Sequence, residues 1–104
     1  MKHFIFFVFI TVFMVSSVFA QECEYDKALK AYMKNDFRSA VTCLIKYVNE
    51  KPDPDAYYLL GYASYKLKRH DEAMKYFREA YLIDPDSSPE LFAKKLKLIG
   101  GRHD

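Results

Sequence analysis

Residues able to do acid–base or metal chemistry are scarce in this sequence, with two cysteines and three histidines among 104 residues. His3 lies in an apolar leader, His103 in the last residues, and His70 between two helical stretches. Asp71 and Glu72 do not make His70 part of a cluster, because consecutive residues at a helix start do not share one face. They read instead as acids suited to a helix N-terminus. Cys23 and Cys43 lack the Cys-x-x-Cys spacing of a redox pair. No stretch alternates apolar and polar residues over a useful strand length. Net charge is missing too: 16 basic side chains stand against 14 acidic ones, so the basic footprint of a nucleic-acid binder is absent. Lys94, Lys95, Lys97, Arg102 and His103 gather near the end and read as a solvated helix face. These shortages argue against an enzyme, a metal or cofactor protein, and a nucleic-acid partner.

What the chain does have begins with the leader MKHFIFFVFITVFMVSSVFA. Lys2 gives a positive start, Phe4 to Val15 is almost wholly apolar, and Val18 and Ala20 stand at the −3 and −1 places of a cleavage site. That order is a secretory signal peptide over residues 1–20, cut between Ala20 and Gln21. It predicts an exported protein, periplasmic in a bacterium or otherwise secreted. The alternative keeps residues 4–20 as a membrane anchor, since the uncharged run is at the lower margin for spanning a bilayer. No stop-transfer charges follow it, and Ala20-Gln21-Glu22 before Cys23 does not resemble a lipobox. Cleavage removes Lys2, leaving 15 basic residues against 14 acidic ones. In an oxidising compartment Cys23 and Cys43 form a candidate disulfide. Closing that loop is worth roughly 3 kcal/mol. The other reading is two unpaired thiols.

Past the leader the chain repeats itself. Ala28 and Gly61, Tyr32 and Tyr65, Ala40 and Ala73, Leu44 and Phe77, and Pro52 and Pro85 are each 33 residues apart. Such a period marks a stacked supersecondary unit. Each unit reads as two helices. In the first, EYDKALKAYMK leads to a turn at Asn35-Asp36, with Asp36 as N-cap of the helix that follows. Ala40, Val41, Leu44, Ile45 and Val48 make its apolar stripe. Pro52 stops it and drives Lys51 out of helical geometry. Asp53-Pro54 opens the second unit as N-cap and first-turn proline, with helices over about 54–67 and 71–83. Ser87-Ser88-Pro89-Glu90 then starts a fifth helix with a capping-box pattern, ending at Gly100-Gly101. The class is all-α.

Tyr57, Leu60-Gly61, Tyr65, Ala73, Phe77, Ala80 and Pro85 resemble the signature of the tetratricopeptide repeat. The second unit, residues 54–87, carries most of the resemblance. The first, residues 21–53, keeps Ala28, Tyr32, Ala40, Leu44 and Pro52 but has Lys27 and Glu24 where leucine and an aromatic belong. The expected layout is two repeats in a domain over residues 21–99, a capping helix over 88–99, and a flexible tail over 100–104. Gly61 and Ala73 are expected where two helices meet closely, with Tyr57, Phe77 and Tyr81 filling wider gaps. Two units are fewer than the three or so that stacking usually needs, so a disulfide or self-association would have to support them.

The resemblance implies a concave face lined by the first helix of each unit. On this register the inward positions are Tyr25, Leu29, Tyr32 and Met33, then Asp55, Tyr58, Leu59, Tyr62, Tyr65 and Lys66, with Lys95 and Phe92 from the last helix. Tyrosine suits recognition, offering a rigid apolar face with one polar handle. Several of these rings could equally be packing. Tyr25 and Leu29 occupy places where the carboxylate-clamp subtype carries other residues, which argues against an acidic C-terminal peptide. The expected function is a non-enzymatic adaptor that docks a protein or peptide partner on this face. A structural role, through self-association as a homo-oligomer or stacking on a larger repeat protein, is the alternative.

Overall fold

The computed structural model describes residues 23–100, so the leader, its cleavage site and the last four residues lie outside the described residues. Five helices follow one another: α1 Tyr25–Met33, α2 Phe37–Glu50, α3 Pro54–Lys66, α4 His70–Ile83 and α5 Pro89–Gly100. No strand occurs among the described residues. The first four form two antiparallel pairs, α1 with α2 and α3 with α4, stacked through α2 against α3.

The 33-residue period is visible in the backbone. Lys51 and Asp84 leave helical geometry at the ends of α2 and α4, with φ −132° and −138°, because the proline after each disfavours helix there. Asn35 and Lys68, also 33 apart, both take φ 64° to turn the chain between helices. At each turn two rings meet edge to face, Tyr32 on Phe37 at 5.2 Å and Tyr65 on His70 at 5.0 Å. His70 thus takes in the second unit the place that Phe37 holds in the first.

Caps follow the sequence in part. Asp36 accepts a hydrogen bond from the Ser39 N–H at 3.4 Å, whereas Asp53 stands at its N-cap position without side-chain capping. Ser88, not Ser87, caps α5, accepting from the Leu91 N–H at 3.1 Å. The Ser87 hydroxyl instead donates to the Asp84 carbonyl. The apolar stripe of α2 also shifts: Cys43 is buried and Ile45 is exposed. Cys43 is bonded to Cys23, their Cα atoms 5.2 Å apart, and Cys23 packs against the core beside it.

Helix α3 is the core of the molecule, burying Ala56, Tyr58, Leu59, Leu60, Gly61, Ala63 and Ser64. Gly61 is small for Phe77 rather than for Ala73. A Cβ built on it would collide with the Phe77 ring, whose Cδ1 would lie 2.6 Å away. In the first unit the equivalent positions hold Ala28 and Leu44, a methyl with a smaller partner, both fully buried. Gly61→Ala is therefore expected to cost about 1–3 kcal/mol through overpacking. Adding Phe77→Leu should recover much of that loss, because the pair then copies the first unit. Chemical denaturation of the single and double variants measures the coupling.

Helix α4 buries only Ala73 and Ala80, with Tyr76 and Phe77 half-buried. Its remaining apolar residues face solvent, Met74 at 61% exposure and Tyr81 at 55%. Tyr81 therefore fills no gap among the described residues. The reason lies in α5, which packs chiefly against α3. It does not close the end of the stack.

Candidate functional site

The face in question is the one that α1 and α3 share. Its first-unit part is Tyr25, Leu29 and Tyr32, all half-buried, with Met33 more exposed at the end. Tyr25 packs on Tyr47 of α2 with ring centroids 6.2 Å apart. Burial, followed by the nearby charges of Asp55 and Asp53, pushes its hydroxyl well above the usual tyrosine range. Burial raises Tyr32 as well, and Tyr62 adds to it. These two acids make the start of α3 the negative end of the face.

The α3 part divides more sharply than its spacing suggests. Leu59 and Tyr58 are buried in the core, Tyr58 at 1% exposure. The Tyr58 ring sits between Phe77 at 6.1 Å and Phe92 at 5.8 Å, and its hydroxyl meets the Ser87 Oγ at 3.0 Å. Both are held by core packing and expose almost no surface to a partner. Tyr62 is half-buried, edge-on to Phe77 at 5.1 Å, and its hydroxyl donates to the Pro89 carbonyl at 2.9 Å. Its pKa is raised by burial, then by Glu90 and Tyr58. Tyr65 and Lys66 are exposed. Ser64 takes the inward place instead, fully buried, its hydroxyl without a hydrogen-bond partner among the described residues.

Helix α5 lies across this face. Phe92 stacks on Tyr58 and on Tyr62, the latter at 6.1 Å. Lys95 reaches Asp55 at 3.4 Å, and Leu96 packs against the core. At its far end Gly100 comes to α1, where a Cβ would lie 3.3 Å from the Met33 Sδ. Thus α5 bridges from α3 to α1, over positions expected to receive a partner. Its amphipathic pattern was legible in the sequence, but its seat was not.

A family model of the tetratricopeptide repeat matches residues 25–88. The chain belongs to the tetratricopeptide repeat family. No curated protein and no solved structure matches it. The tetratricopeptide repeat match covers both helix pairs and stops one residue before α5, the helix that leaves the stacking pattern. Repeats of this family typically bind protein partners and act as non-catalytic scaffolds. Among the described residues no group of three or more His, Cys, Asp or Glu could hold a metal ion, and no helix is long and apolar enough to cross a membrane.

Proposed function

We propose that the protein is an exported, non-enzymatic adaptor, freed of residues 1–20, that docks a protein segment on the face shared by α1 and α3. The observation that supports this is the seating of Phe92: the face takes an aromatic side chain presented by a helix. Tyr62 beside that seat, and Tyr25 and Tyr32 on α1, are rings fixed by their own packing, which lowers the entropy lost when a partner settles on them.

Photo-crosslinking in the cells that make the protein tests the reading. A benzophenone side chain at Tyr65 or Met33 is expected to join a protein partner, and the same group at Lys46, exposed on α2, is expected to join none. Peptide mapping of the crosslinked product should find an N-terminus at Gln21. Equal capture from all three sites, or none, sinks the docking face. An N-terminal peptide beginning at Met1 replaces export of a cleaved chain by a membrane-tethered adaptor.

The uncovered face of α4 favours a second reading, self-association. Met74 and Tyr81, with Phe77 and Pro85, line a cleft of about 570 Å³ beside the linker to α5. Light scattering on the purified protein should then give twice the monomer mass, returning to monomer in a Met74→Glu/Tyr81→Glu variant. A monomer at all concentrations removes this reading.

A further inference from the structure

The geometry points to α5 as a built-in stand-in for the partner: the face recognises an amphipathic basic helix, and that helix must displace α5. This rests on the docking reading above and adds to it the partner's chemistry and a control on its access.

The contacts of α5 define what the face selects. An aromatic ring enters between Tyr58 and Tyr62, at 5.8 and 6.1 Å. Three residues on, a cation meets Asp55. One residue further, an aliphatic side chain packs against the core. Phe92, Lys95 and Leu96 thus occupy i, i+3 and i+4, one stripe of a helix. The charge is complementary, because Asp53 and Asp55 stand at the acidic end of the face and α5 also carries Lys94 and Lys97.

The hold on α5 is built to yield. Phe92 is its one buried residue, and Leu98 is 81% exposed. The Lys95–Asp55 pair is open to solvent, where ion pairs contribute little. A helix of this length is marginal by itself in water, so α5 depends on its seat. The linker between α4 and α5 runs over residues 84–88; Ser87 meets the Tyr58 hydroxyl, and the Tyr62 hydroxyl holds the Pro89 carbonyl at the start of α5.

The test uses a fluorescent peptide of residues 89–100 against the mature protein and its Phe92→Ala variant, with circular dichroism on both. The peptide is expected to bind the variant about tenfold more tightly, since its internal competitor is weakened. A peptide with Phe92→Ala should not bind, and one with Lys95→Glu should bind several-fold more weakly. Equal affinity for the two folded proteins, or no binding to the folded variant, overturns the proposal. If the variant fails to fold, hydrogen exchange on the unsubstituted protein decides. The amides of α5 should exchange faster than those of α3, and saturating peptide should accelerate them further; unchanged exchange overturns the proposal. A dimer in which peptide releases monomer would mean that α5 of a second copy takes the seat, and would reject an external helix. Binding without movement of α5 removes this proposal and leaves the adaptor reading, whereas failed crosslinking at Tyr65 and Met33 removes both.

Discussion

Replacing Tyr58 with alanine is expected to destabilise the protein by about 3–5 kcal/mol, the range for emptying a buried aromatic site. The ring touches α4 through Phe77 and α5 through Phe92, so one substitution loosens three helices at once. Its hydroxyl also partners Ser87, and that group would be left to find water. At about 4–8 °C per kcal/mol for a domain of this size, thermal denaturation by circular dichroism should show a loss of tens of degrees or no folded baseline. Tyr65→Ala is the control. With 54% of Tyr65 exposed and one ring contact to His70, it should change stability by well under 1 kcal/mol. An unchanged midpoint in Tyr58→Ala would return that tyrosine to the groove.

Loss of the Cys23–Cys43 bond is the second large effect, expected to cost roughly 3 kcal/mol. Converted at the same rate, the midpoint should fall on the order of 10–20 °C. The loss should be uneven. Helix α1 has 9 residues, has no side-chain cap at Glu24, and fully buries only Ala28. Such a helix is marginal without tertiary support, and the bond fixes its start to the middle of α2. Hydrogen exchange on a Cys23→Ser/Cys43→Ser variant should therefore show α1 opening well before α3. Uniform loss across α1 to α4 would mean that the bond acts on the whole unfolded chain and not on α1 in particular.

The helix pairs were legible because their signals are local. Pro52 and Pro85 end helices whatever packs around them, and a 33-residue offset needs only two copies to be seen. The docking face was less so. Spacing placed Tyr58 and Leu59 on it, yet both are buried in the core. Ser64 beside Tyr65 carried a usable clue, since the position 33 residues earlier, Ala31, is small as well. The seat of α5 had no such clue. A periodic stripe fixes which side of a helix is apolar, but not which of two apolar surfaces receives it. Both the side of α3 and the outer side of α4 could accept Phe92, and the choice depends on the path of the linker over residues 84–88.

The open side of α4 has a consequence for stoichiometry. At the other end of the stack, α1 exposes Asp26, Lys27 and Lys30 along its length, with Met33 only at its last position, a largely charged surface unlike the apolar one left on α4. A head-to-tail array would need these two ends to match, and they do not. Copies that meet through α4 can satisfy one another only face to face about a twofold axis, and such an arrangement closes at two. Under the self-association reading, the repeat that usually builds extended arrays would stop at a pair.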